Sequence, residues 1–261
     1  MNDVVEKKPT FVSVIDASNY AAYQGAGMEQ AEAKDMALPY LVILQKLSPQ
    51  VDEDNGAYVA GAKAGMILET ATGQLFDGKV GVSCAPCYFR KAIVEWKPRE
   101  SGGGLVREHM YDERLFENCK PDTKGKMVNP QGNLMVDTKY HYVNLLLPTG
   151  PFPVVIAMTS TQMKRSRKWL SLMTMRKMPK ADGSSFTPPS FAYRYHLTTV
   201  LEEKNGNTWY SWDIAPGDLI TDGEIARANI KFSQSVGKGD VKLSDPVAGM
   251  KGDIADDEIP F

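Results

Sequence analysis

Two cysteines three residues apart are the first candidates for chemistry in this chain. Cys84 and Cys87 form a Cys-x-x-Cys pair, and His109 and Cys119 follow as further candidate ligands. Structural zinc normally needs a second closely spaced pair, whereas His109 and Cys119 are ten residues apart. Redox chemistry favours a pair at a helix N-terminus, but the surrounding residues favour a strand. We expect cysteines without a cofactor, and zinc remains the alternative.

The remaining polar residues show no pattern typical of an enzyme. None of the three histidines belongs to a Ser or Cys nucleophile motif, and no paired carboxylates stand out. The glycines at 102–104 are not followed by Gly-Lys-Ser/Thr, which excludes a P-loop at this point. We therefore expect a binding protein that is not an enzyme.

Binding chemistry is more prominent, and it begins with an acid-free basic segment. Seven cations and no acid lie between Lys164 and Lys180. At helical spacing, Trp169 and Met173 fall on one side, while Lys164, Arg165 and Lys168 fall roughly opposite. Solvated helix faces usually mix charges, so this composition favours a polyanion partner. Three alternatives remain for this helix: a plain solvated face, a membrane-surface helix and a calmodulin-like target helix.

Aromatic residues interleaved with cations point to single-stranded nucleic acid. In the strand predicted over 139–147, Val143, Leu145 and Leu147 mark the core face, so Tyr140 and Tyr142 are expected to point outward. Outward rings beside cations can stack on bases without regard to sequence. The residues expected to contact single-stranded DNA are Tyr88, Arg90, Lys91, Trp96, Lys97, Arg99, Arg107, Tyr140, Tyr142, Lys164, Arg165, Lys168 and Arg194.

The elements that position these residues follow one order along the chain: strand, long loop, strand, strand, helix, strand, strand. The fold class is mainly β with helical additions (α+β), and the order is that of an OB-fold, a five-stranded Greek-key barrel. We expect an N-terminal helical extension over 1–63 and an OB-fold core over 64–236. That core contains the long loop 98–137 and the basic helix 160–178, and a flexible acidic tail over 237–261 follows it.

Local signals refine this outline. Gly27–Pro49 is helix-rich in composition, Pro86 predicts a bulge, and Asn205-Gly206 predicts a tight hairpin. Ser160 is a candidate N-cap for the basic helix. Asp222 is a candidate cap for a last helix over 221–235.

Length and composition set the broad class. The 261 residues are 43% hydrophobic and 24% charged, which is typical of a globular protein. No apolar run approaches the length of a membrane helix, and no secretory signal is visible. Three cysteines make a disulfide framework improbable, so a cytoplasmic location is expected, in the host cytoplasm if the chain is phage-encoded.

The charge is unevenly distributed. The formal net charge is −2, but Asp245–Phe261 contains five acids and one base and carries −4. The preceding residues therefore carry +2. A basic body with an acidic tail is the result.

The end of the tail carries a family resemblance. Asp256-Asp257-Glu258-Ile259-Pro260-Phe261 resembles the acidic tip of bacterial single-stranded DNA-binding proteins, which typically ends Asp-Asp-Asp-Ile-Pro-Phe. The body is longer than the bacterial protein and looks more like a bacteriophage member, with an OB-fold and an acidic tail. The resemblance implies that Asp256–Phe261 docks replication, recombination and repair proteins, with Phe261 entering an apolar pocket. A solubilising tail is the alternative.

Together these features predict a sequence-tolerant single-stranded DNA-binding protein that acts in replication, recombination and repair. No membrane partner is expected, and a homo-oligomer is compatible with the sequence. The alternative is a protein-interaction or regulatory module without DNA, built on the basic helix and a docking tail and stabilised by zinc in one variant.

Overall fold

The computed structural model describes residues 23, 26–31, 35, 37–123 and 125–244, apart from the side chain of Arg99. The acidic tail from Asp245 to Phe261, including the partner-docking tip, lies outside the described residues. None of the helices among the described residues is long and apolar enough to cross a membrane.

Strands dominate the described chain, in agreement with the predicted mainly β class. The first strands are β1 (Ala37–Leu38), β2 (Leu41–Ile43), β3 (Ile67–Glu69), β4 (Leu75–Phe76), β5 (Val82–Trp96), β6 (Leu105–Met110), β7 (Lys120–Pro121) and β8 (Met127–Val128). After them come β9 (Leu134–Leu147), β10 (Gly150–Met158), helix α1 (Met163–Met175), β11 (Met178–Pro179) and β12 (Ser185–Phe186). The chain continues with β13 (Tyr193–Lys204), β14 (Asn207–Leu219), helix α2 (Gly223–Lys238) and β15 (Lys242–Leu243).

One curled sheet holds the five long strands. Its order is β14-β13-β5-β9-β8-β7, with β10 also paired to β9 and β6 also paired to β5. The long strands therefore run β10-β9-β5-β13-β14, and each neighbouring pair is antiparallel. The sheet curls into a half-barrel whose two outer long strands are β10 and β14.

The segment around β2 fills the gap between β10 and β14. Tyr40 bridges Val155 in parallel, and the Val155 N–H donates to the Pro39 carbonyl at 2.9 Å. At the other end, the Gln45 amide accepts from the backbone N–H of Tyr210 at 2.8 Å and donates to the Tyr210 carbonyl at 2.9 Å. The helical structure predicted for the segment 27–49, with an interruption at Pro39, is therefore wrong where the structure describes it. The continuous apolar run at 40–44 is buried in extended form, as expected for a fully covered strand.

Both faces of the central strands are covered. On one face, called the α1 face here, Val143, Leu145 and Ile156 pack with Trp169 of α1 in a buried core. On the other, called the α2 face, Tyr140 packs with residues of β1, β2 and α2. Trp169 is fully buried, so we expect its truncation to alanine to cost about 3–5 kcal/mol.

Turn and cap signals explain several boundaries. Asn205 and Gly206 adopt φ values of 53° and 81°, which a tight β13–β14 hairpin turn requires, so this prediction is confirmed. The Asp222 carboxylate accepts from the N–H groups of Glu224 and Ile225, which confirms the predicted cap of α2. The irregularity predicted at Pro86 falls between Pro86 and Tyr88, where Cys87 has no cross-strand partner.

Ser160 does not cap the basic helix. It adopts φ 42° and begins a 3₁₀ turn over Ser160–Gln162, and α1 starts only at Met163. The helix ends at Met175, three residues before the predicted end at Met178.

Candidate nucleic-acid interface

The rings expected to point outward from β9 are buried. Tyr140 and Tyr142 are 2% and 3% exposed and lie on the α2 face, opposite the basic helix. The prediction failed because the alternation argument assumed one solvated face, whereas α2 and the β2 segment cover this one. Trp96 is also 6% exposed and belongs to the same core. A DNA path joining α1 to Tyr140 and Tyr142 is therefore wrong.

The acid-free helix α1 is not free of acidic partners in space. Lys164 and Arg165 form ion pairs with Glu202 of β13. Arg165 and Lys168 reach Asp213 of β14 at 3.4 and 3.5 Å. The expectation of unpaired cations at these three positions is therefore wrong, because acids from a hairpin distant in sequence supply the missing charge.

The environment of Glu202 explains why these pairs persist. Burial tends to raise the pKa of Glu202, but hydrogen bonds from Lys164 and Arg165 outweigh it and hold the pKa below its usual value. Glu202 is therefore ionised at neutral pH and anchors the N-terminal half of α1 to the hairpin.

Two lysines share one aromatic ring on the α1 side of the sheet. The Nζ atoms of Lys91 and Lys139 lie 3.9 and 4.4 Å from the centroid of the Tyr111 ring. The two lysines are cross-strand partners on β5 and β9. Lys139 also pairs with Asp137 at 2.7 Å, whereas the exposed Lys91 has the ring as its described contact. Sequence reasoning found Lys91 but missed Lys139 and Tyr111, because only the strand register brings them together.

The strand register places Arg107 on the same face. Glu95 pairs with Arg107 across β5 and β6, and Lys91 is four residues before Glu95, so their side chains point the same way. The neighbouring rung, Phe89 and His141, lies under α1, where the His141 ring stacks on Trp169 at 4.7 Å. The α1 face therefore carries Lys91, Lys139, Tyr111 and Arg107 beside the helix.

A buried carboxylate organises the end of this face. Glu95 is 4% exposed and accepts hydrogen bonds from Asn129 at 2.9 Å, Asn133 at 2.7 Å and His109 at 2.9 Å. Arg107 Nε approaches it at 3.2 Å. Burial favours a higher pKa for Glu95, but these hydrogen bonds and the Arg107 charge lower the pKa to about 2. The carboxylate fixes β6 and the long loop against β5.

A cavity of about 400 Å³ opens between this loop, β2, the β10–α1 junction and β14. Half of its apolar wall consists of aromatic and methionine side chains, and the other half is aliphatic. The aromatic and methionine residues are Phe116, Met127, Met135, Met163, Trp209 and Trp212. Gln162 also lines it, and its side chain donates to the Tyr210 carbonyl and accepts from the N–H of Trp212. Asp137, the partner of Lys139, also lines the cavity, so the lysine pair adjoins it.

The other predicted contact residues are dispersed. Tyr88 is 37% exposed and meets Tyr142 edge-on at 6.2 Å. Arg90 pairs with Glu108 and lies over the Tyr140 ring at 5.0 Å, so it belongs to the α2 face. Lys97 and Arg194 are exposed. The Arg99 side chain lies outside the description.

The Cys-x-x-Cys pair is divided between the two cores. Cys84 packs on the α1 face beside Val143, and Cys87 lies 3.8 Å from the Asn229 side chain of α2. Burial raises the pKa of the Cys84 thiol, and it raises the pKa of Cys87 to about 12. Residues three apart in a strand point to opposite faces, which accounts for this separation. Among the described residues, no group of three or more His, Cys, Asp or Glu side chains is placed to hold a metal ion.

Sequence comparison assigns the chain to a family. Residues 6–242 match the model of the family described as Pam3 phage gp34-like protein. The chain belongs to this family. Searches of curated proteins and of solved structures return no match. The Pam3 phage gp34-like family agrees with the bacteriophage connection expected from the sequence, and its description names no activity.

Proposed function

We propose that this phage-type protein binds single-stranded DNA without strong sequence preference. The observation that carries the proposal is the shared placement of Lys91 and Lys139 around the Tyr111 ring. The exposed Lys91 can attract a phosphate, whereas Lys139 would have to exchange its bond to Asp137 for one, and the aromatic ring beside them can stack a base. Arg107, 67% exposed at its side chain, extends the positive surface along the same face.

The fold supports the same proposal. The order β10-β9-β5-β13-β14, with α1 between β10 and β13 in sequence, is the arrangement expected for an OB-fold. The long loop between β5 and β9 corresponds to one of the loops that flank the binding face in that fold. We assign the DNA path to the α1 face, and Tyr140 and Tyr142 serve as core residues.

The paired cations of α1 have a secondary role in this scheme. Lys164 and Lys168 are about half exposed at their side chains and can exchange an acid for a phosphate. Each exchange breaks an existing ion pair, so it gains less than binding by an unpaired cation. Lys91 is therefore expected to contribute more to affinity than Lys164.

A salt titration tests the proposal. Affinity for oligo-dT is measured at several salt concentrations, with duplex DNA of the same length as competitor. Log affinity should fall with log salt, with a slope of about −0.7 for each neutralised phosphate. Equal or tighter binding to the duplex would refute the proposal.

Matched lysine variants locate the surface. Lys91→Ala should weaken binding and reduce the salt slope by about 0.7. Lys231, exposed on α2, provides the control, and Lys231→Ala should leave both quantities at the wild-type value. Equal effects from the two substitutions would argue against a DNA path on the α1 face.

The C-terminal tip adds a second part to the proposal. Asp256–Phe261 lies outside the described residues, so its role rests on the sequence resemblance alone. We assign it the docking of replication and recombination proteins.

A further inference from the structure

The cavity beside the lysine pair has no role in the scheme above. It measures about 400 Å³, a size typical of sites that hold a small flat ligand. Trp209 and Trp212 are both largely buried, yet both line it. Trp209 donates its ring N–H to Ser211 at 3.1 Å, so its polar atom is already satisfied.

The backbone at one wall is strained. Ser160 lines the cavity with φ 42°, a conformation that non-glycine residues rarely adopt. Such strain is most often retained at functional sites, because the surrounding structure must stabilise it. Two residues later, the Gln162 side chain fastens the same turn to β14 through its bonds to the backbone of Tyr210 and Trp212.

The cavity and the lysine pair are connected through one side chain. Asp137 lines the cavity, and its carboxylate lies 2.7 Å from Lys139 Nζ. Lys139 shares the Tyr111 ring with Lys91. A ligand with a flat apolar ring and an adjoining phosphate therefore meets the cavity first, then the Asp137–Lys139 ion pair and the exposed Lys91 beside it.

We propose that this cavity receives a single unstacked nucleobase of the bound strand, while its neighbouring phosphate lies at Lys91 and Lys139. The inference rests on the proposed function and deepens it. Aromatic and methionine walls accept any base through its flat face, which is compatible with sequence-tolerant binding. Thr161 and Asp137 also line the cavity and add polar residues to its wall.

The test fills the cavity. Thr161→Trp places a bulky ring in the wall, and Met127→Trp does the same from the loop side. Thr174→Trp, on the exposed part of α1, is the matched control. Folding of each variant is checked by thermal unfolding. The probe is oligo-dT carrying one 2-aminopurine, whose fluorescence reports insertion beside tryptophan.

The expected results distinguish base insertion in the cavity from DNA binding itself. The wild type and Thr174→Trp should bind the probe and change its fluorescence. Thr161→Trp and Met127→Trp should lose the change and weaken binding about tenfold, with an unaltered salt slope. If both filled variants keep the wild-type affinity and fluorescence change, the cavity inference is overturned. A loss of affinity in Lys91→Ala would still support DNA binding in that case. If the wild type fails to bind the probe, the proposed function itself falls.

Discussion

Glu202 of β13 holds Arg165 of α1, although the two residues are 37 positions apart in sequence. The basic helix α1 is therefore bound to the β13–β14 hairpin by a carboxylate that lies outside the helix sequence. The same carboxylate also pairs with Lys164, and Asp213 pairs with Arg165 and Lys168. These three cations of α1 are therefore engaged in ion pairs within the fold, which a bound phosphate would have to replace.

Releasing these cations should alter binding. Glu202→Gln removes one negative charge beside Lys164 and Arg165, so we expect tighter oligo-dT binding, most clearly at low salt. Filter binding or fluorescence anisotropy at two salt concentrations measures the change. Glu203→Gln, the exposed neighbour, controls for net charge. Equal tightening in both variants would show that only the overall charge matters.

The buried carboxylate of Glu95 should be a determinant of stability. Glu95→Gln keeps the shape but removes the charge that Asn129, Asn133 and His109 hydrogen-bond, so we expect a loss of about 1–3 kcal/mol in the free energy of unfolding. Urea unfolding measures it, and Glu117→Gln on the exposed part of the loop is the control.

The Glu95 carboxyl should also make the free energy of unfolding depend on pH. Its pKa is about 2 in the folded protein and about 4.3 in the unfolded chain. A lowered carboxyl pKa contributes stability that is fully present above the unfolded pKa and is lost as pH falls toward the folded pKa. The stability difference between wild type and Glu95→Gln should therefore shrink as pH falls from about 5 to 2. A difference that stays constant over this range would contradict this account of Glu95.

His141 should remain neutral well into the acid range. Complete burial lowers the pKa of His141 to about 3, while the ring bonds to Ser166 at 2.8 Å and stacks on Trp169. In the unfolded chain it titrates near 6.5, so its contribution to stability is present above that pH and is lost as pH falls. NMR of the ring protons should show no titration between pH 5 and 8. A midpoint near 6.5 would mean that the ring is solvated.

The acidic tail should compete with DNA for the basic body. Ending the chain at Gly252 removes four acids, so we expect tighter oligo-dT binding at low salt and little change at high salt. Phe261→Ala keeps those acids and should leave DNA affinity unchanged while weakening partner capture. If truncation leaves the oligo-dT affinity unchanged, the tail does not compete with DNA. That result would not bear on the docking of partner proteins.

Local chemistry in the sequence predicted several elements well. The Asn205-Gly206 turn and the Asp222 cap depend on neighbours in the chain, and the structure contains both. The helix α1 follows from its apolar spacing, but its predicted start was wrong because Ser160–Gln162 form a 3₁₀ turn, which the Gln162 side chain bonds to β14.

Contacts between distant segments account for the predictions that failed. The orientation of Tyr140 and Tyr142 depends on α2 and β2 covering a face that alternation treats as solvated. The neutralisation of α1 depends on Glu202 and Asp213, which no local pattern connects to the helix. The cavity combines segments from residue 41 to residue 212, so its existence could not be read from any single motif.

The contacts of the β2 segment delay its folding during synthesis on the ribosome. The side-chain amide of Gln45 bonds to the backbone of Tyr210, which is 165 residues later. At ribosomal rates of about 5–20 residues per second, the N-terminal strand therefore waits on the order of ten seconds for its partner. During that interval its apolar run at 40–44 has no β14 to lie against. We expect folding of this curled sheet to be largely post-translational and slow, as for other folds dominated by non-local strand contacts.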